Sequence, residues 1–86
     1  MLVTNIEISH YSYDALAARH RANVAMTMQD KVVNMFCQLD LPMGEAQRTR
    51  NLAFIGEATR QLRRMPEFRS GKQELRFSEA LLPQYA

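Results

Sequence analysis

The chain has little of what staples or punctuates a small protein. Its one cysteine, Cys37, cannot close an intramolecular disulfide, and a lone thiol beside six methionines suits a reducing cytoplasm. Three glycines and three prolines are few for the many turns of an all-β domain, which argues against that class. No apolar run approaches the ~20 residues of a membrane span, and the N-terminus lacks the layout of a signal peptide. Soft metal ligands are confined to His10, His20 and Cys37, whose spacing matches no zinc pattern. There is no glycine-rich phosphate loop and no clustered pair of carboxylates. The expectation is therefore a protein without catalytic residues, metal or cofactor. Cys37, between Phe36 and Leu39, reads as a small buried hydrophobe. His20 reads as a packed or half-exposed side chain beside Arg19 and Arg21.

What is present fits one globular domain spanning 1–86. The chain is 47% hydrophobic and 23% charged, which separates it from disordered sequences. A chain this short buries only about 60–65% of the surface it exposes when unfolded, so a partner is an economical way to complete the core. Charge is uneven. Residues 1–45 hold three basic side chains against five acidic ones, whereas residues 46–76 hold eight against three. Seven of those eight are arginine, whose planar fork suits phosphate and carboxylate. Such a segment fits nucleic acid, an acidic protein or an ordinary solvated face.

Along the chain, Val3–Ser9 alternates as a short strand, with Thr4, Ile6 and Ile8 on one face. A single strand must pair, either with its twin in a second chain or with the 72–78 stretch. Ser12 can cap a helix in which Tyr13, Leu16, Ala17, His20 and Val24 recur at helical spacing. Thr27-Met28-Gln29-Asp30 resembles a capping box, followed by a stripe of Val32, Val33, Phe36 and Leu39. Residues 12–40 thus read as one long helix or two; Asn23 and Thr27 favour two. A basic amphipathic helix is expected over 45–65, stopped by Pro66. Leu52, Ile55, Ala58 and Leu62 would face inward, a stripe widened by Phe54 and Met65, with Arg50, Arg60, Arg63 and Arg64 opposite. Gly56 would mark close helix packing. Residues 66–86 would form a loop, a strand at 72–78 and an anchoring tail. Met26, Met28, Met35 and Met43 read as core filler. Tyr11 and Tyr13, at the strand exit, would either contact nucleic acid or cover the edge of the core. The fold class expected is mainly α with a short N-terminal strand. The alternative is a small α+β or helical bundle in which that strand pairs with residues 72–78.

The order strand, helix, turn, capped helix over residues 3–40 resembles the ribbon-helix-helix family of MetJ and Arc type. The matching pieces are T-N-I-E-I-S at 4–9, Y-D-A-L-A-A-R-H at 13–20 and T-M-Q-D-K-V-V at 27–33. The resemblance implies a homodimer whose paired strands lie in the major groove of double-stranded DNA. A backbone phosphate would sit at the start of the second helix. It would place Val3, Asn5 and Glu7 against the bases and Thr27 and Met28 against the phosphate backbone. Ile6, Ile8, Leu16, Val32, Val33 and Phe36 would fill the dimer core. Glu7 departs from the basic or amide residue expected in the groove, and the arginine-rich helix lies outside the family core.

Two functional readings follow. One is a small cytoplasmic, homodimeric DNA-binding regulator of repressor, antitoxin or partition-accessory type, phage- or plasmid-encoded, with Arg60, Arg63 and Arg64 adding phosphate contacts. The other is a helical interaction module or inhibitor that docks on an acidic host protein through its arginine-rich helix. Neither involves a membrane.

Overall fold

The computed structural model describes residues 2–29, 31–66 and 75–81. The chain runs β1 (Leu2–Asp14), β2 (Arg19–Met28), β3 (Lys31–Leu39), α1 (Gln47–Arg63), β4 (Arg76–Phe77) and a short 3-10 turn, Glu79–Leu81. The strands form one sheet in the order β3-β2-β1-β4, with β1–β2 and β2–β3 antiparallel and β1–β4 parallel. Helix α1 covers one face of the sheet and packs chiefly on β3 and β2.

This overturns the mainly α, ribbon-helix-helix-like expectation. Residues 12–40 form neither one helix nor two; they hold the end of β1, a turn, and all of β2 and β3. The deciding signal has a period of two. His20, Ala22, Val24, Met26 and Met28 are all buried, while Arg21, Asn23, Ala25 and Thr27 between them are only half-buried. Met35, Cys37 and Leu39 continue the same inward register on β3. Alternate burial over ten residues is what a strand with one covered face requires. The apparent capping box is a reversal: Met28 pairs with Lys31, and Gln29 between them has φ 54°.

Scarcity of glycine did not prevent the turns. Asp14 Oδ1 accepts from the amides of Leu16 and Ala17, at 3.0 and 3.2 Å, and so closes the β1–β2 turn. Ala18 completes it with φ 55°. Of the side chains assigned to a dimer core, Ile6 is buried, while Leu16, Val32 and Phe36 stand exposed. The N-terminal strand is paired within the chain on both sides. Leu2 and Val3 meet Arg76 and Phe77, inside the 72–78 stretch weighed above, and Ser78 donates from its amide to the Val3 carbonyl at 2.9 Å. Residues 72–74 of that stretch and the tail after Leu81 lie outside the described residues.

The basic helix is found within two residues of its expected ends. Its inward face is turned toward Phe54, Ala58 and Leu62, and Leu52, expected inside, is 44% exposed. Gly56 is exposed as well, and a Cβ at that position meets nothing within 4 Å, so close helix packing is not its role. Glycine in an open helix interior forfeits about 1 kcal/mol relative to alanine. Gly56→Ala is therefore expected to stabilise the fold by about 1 kcal/mol and to raise Tm by about 4–8 °C, read by thermal unfolding.

Candidate functional site

A cluster of aromatic and polar side chains lies where β1, β2 and the start of α1 meet. Between Ser9 and Ser12 the β1–β2 register slips, with His10 at φ 55°. Within this bulge Tyr11 reaches the helix side of the sheet. Its ring lies 5.9 Å from that of His20 and 6.2 Å from that of Phe54. His20 is fully buried, and both ring nitrogens are used. Nε2 donates to the Pro42 carbonyl at 2.9 Å, which in the neutral ring leaves Nδ1 to accept from the Tyr11 hydroxyl at 2.7 Å. Tyr13 packs edge-on against the same imidazole, 4.8 Å between centroids.

Arg50, in the first turn of α1, lays its guanidinium over the outer face of Tyr11, 4.4 Å from the ring centroid. Nη1 donates to the Glu45 carbonyl at 3.0 Å, and Nε is shut away from solvent with no acceptor. A buried donor left in that state costs about 1–3 kcal/mol. No carboxylate among the described residues pairs with this cation. Ile8, Tyr11, Gln47, Arg50 and Asn51 together line an open cleft of about 220 Å³. Ala46 supplies no side-chain cap to α1, and the first turn carries no acidic residue.

The residues assigned to DNA contact are scattered by the fold. Val3 and Met28 are fully buried and can touch neither base nor phosphate. Asn5 and Glu7 do share the uncovered face of the sheet, opposite Thr27 and Ala25 of β2. Their strand is nevertheless paired with β2 along its length and with β4 at Leu2 and Val3, so it is not the lone N-terminal strand from which a two-chain ribbon is built. Thr27 opens no helix; its carbonyl accepts from the Thr4 hydroxyl at 3.4 Å. The backbone amides that would have held a phosphate belong to the strand ladder instead.

Arg60, Arg63 and Arg64 are brought together as expected, exposed at the C-terminal end of α1 and just beyond it. Arg60 is held by Glu57, with Nε donating to Oε2 at 3.0 Å and a second, shorter contact from Nη2 to Oε1. These hydrogen bonds hold the Glu57 carboxyl below its usual pKa, against a smaller opposing effect of burial. Glu57 in turn bears on Cys37, whose thiol is pushed up to about 11, mainly by burial and then by that negative charge.

Sequence reasoning grouped Arg50 with the outward arginines of the helix, passed over Gln47 and Asn51, and left Tyr11 and His20 unconnected. A histidine and two tyrosines in one strand-turn-strand segment was the available signal, but only the fold brings Arg50 to them. No group of three or more metal-ligating side chains lies together among the described residues. No described helix is long and apolar enough to cross a membrane. Comparison of the chain with protein-family models, curated proteins and solved structures finds no match.

Two outcomes follow from this cluster. His20→Leu leaves the Pro42 carbonyl and the Tyr11 hydroxyl without their partner and is expected to cost about 1–3 kcal/mol in urea unfolding. Tyr11→Phe leaves only the buried Nδ1 without its partner and should cost less than His20→Leu within that same range of about 1–3 kcal/mol, so the reverse order would dethrone the imidazole as the anchor. Because folding raises the Cys37 pKa from an ordinary 9.0 to about 11, the unfolded chain loses that proton first as pH rises. Stability should therefore fall between pH 9 and about 11 more steeply for the native protein than for Cys37→Ala, compared by chemical denaturation across that range.

Proposed function

We propose that this protein is a non-catalytic interaction module that docks on an acidic protein surface through the outer face of α1. The observation that carries this reading is the composition of that face. Arg48, Arg60, Arg63 and Arg64 are exposed on it or at its end, around a half-exposed Leu52 and an open Gly56, with Glu57 as the one acidic residue of the helix. Arginine next to exposed aliphatic surface is a common composition for a binding hot spot. The guanidinium gives directed hydrogen bonds to carboxylates while its stem buries apolar area. Of the three arginines grouped at the end of the helix, only Arg60 has a carboxylate partner among the described residues. The pattern supports a protein partner over a DNA groove because the proposed base-reading residue Val3 and the proposed phosphate ligand Met28 are inside the core.

Affinity capture from lysate, with the native chain and with Arg60→Gln/Arg63→Gln/Arg64→Gln as baits, tests the reading. The recovered partner is then titrated against both. An acidic protein bound by the native chain about tenfold or more tightly than by the variant is expected, with affinity falling as salt rises. A parallel titration of a mixed-sequence duplex separates the second class of partner. Salt-steep duplex binding that the same substitutions abolish, with no protein partner, would assign the arginines to phosphates and remove the protein-docking reading.

A further inference from the structure

We infer that the cleft between the β1 bulge and the first turn of α1 is a binding site for a small organic carboxylate, with Arg50 as its anchor. The reading does not depend on the outer face of α1. Arg50 is a guanidinium held in place without a counter-charge among the described residues: the Tyr11 ring lies beneath it at 4.4 Å, and the Glu45 carbonyl takes one Nη1 hydrogen at 3.0 Å. Nε is shut away from solvent, so the remaining Nη hydrogens are the donors left to a ligand. A planar fork immobilised in this way matches the two oxygens of a carboxylate, and little side-chain freedom remains to be lost on binding.

The other walls suit the same ligand. Gln47 and Asn51 each bring an amide able to donate to the anion or to accept from a hydroxyl on its body. Ile8 and the Tyr11 ring supply apolar surface for that body. At about 220 Å³ the cleft is smaller than the ~300–1,000 Å³ usual for drug-sized ligands, which limits the occupant to a compact molecule or the end of a peptide. Behind this wall the Tyr11–His20–Pro42 hydrogen bonds fix the ring on which Arg50 rests. The platform is thus built from the core outward.

The test is a titration of the isotope-labelled full chain with benzoate at constant ionic strength. It is followed through the Arg50 Nε–H and the Gln47 and Asn51 side-chain amides by NMR. Saturable shifts of these signals with a millimolar Kd are expected. Arg50→Gln should weaken binding at least about tenfold, and Arg50→Lys, which keeps the charge and loses the fork, by a similar factor. Asn51→Ala should weaken it about two- to fivefold, and this variant decides the matter if the Arg50 variants do not fold. The absence of saturation up to about 100 mM would overturn the assignment, as would equal affinity in a folded Arg50 variant or in Asn51→Ala. Inorganic phosphate binding as tightly as benzoate would overturn the carboxylate class. N-acetyl-glycyl-phenylalanine and its amide separate the two sources of the same chemistry. A free-acid peptide that exceeds benzoate points to a peptide C-terminus, and one that falls below it points to a free metabolite.

Discussion

A buried imidazole joins the parts of this fold that local sequence does not hold together. His20 sits at the start of the inner strand β2, and an unpartnered imidazole there would be expensive to bury. Its two hydrogen bonds tie that strand to Tyr11, within the bulge of β1, and to Pro42, in the connection that leads into α1. The path of the chain from β3 to the helix is thereby fixed at Pro42, five residues before Gln47 opens α1. From there Phe54, Ala58 and Leu62 reach the inward row of β2 and β3. Cover for the sheet comes from one 17-residue helix, so an error in where that helix begins would expose the core along its whole length.

The helix was legible in the sequence because its start, its length and its stop at Pro66 agree with one another. The strands were harder to see for a physical reason. Residues 13–39 are rich in alanine, methionine, leucine and glutamine, all good helix formers. Tyr13, Leu16, Ala17, His20 and Val24 also happen to recur at helical intervals. A second periodicity ran through the same residues, His20-Ala22-Val24-Met26-Met28, and burial of that row against α1 outweighs local propensity. The turns were hidden too. His10, Ala18 and Gln29 take up the positive φ values for which glycine or asparagine would have been the visible sign. Reading Thr27 as a cap then carried Met28 to a phosphate, although its place in the alternation puts it in the core.

The same shift of perspective separates the arginines of α1. A stripe centred on Leu52, Ile55, Ala58 and Leu62 would leave Arg50, Arg60, Arg63 and Arg64 together on the far side. The buried row is turned toward Phe54 instead, which releases Leu52 to the surface and swings Arg50 over β1. One helix therefore uses a single residue type in two ways. Arg50 is stacked and half-buried against a ring fixed by the core, whereas Arg63 and Arg64 keep their stems and charges outside. Only the first is positioned well enough to select a ligand by shape. The others act through charge and the area their stems cover.

Sheet edges set the remaining constraint. β4 has two residues and pairs only with Leu2 and Val3, whereas β3 offers an edge of nine residues, with Val32 and Phe36 exposed on its uncovered face. A long edge of that kind invites pairing with another chain. The helix answers part of this at close range. Gln61, one residue before the buried Leu62, donates its side-chain amide to the Phe36 carbonyl at 3.0 Å. The bond removes an acceptor from the middle of the strand and anchors the end of α1 that carries Arg60 and Arg63. The contact that blunts the edge is thus also the one that holds the cationic end of the helix against the sheet, so loosening Gln61 would disturb edge protection and the docking face together.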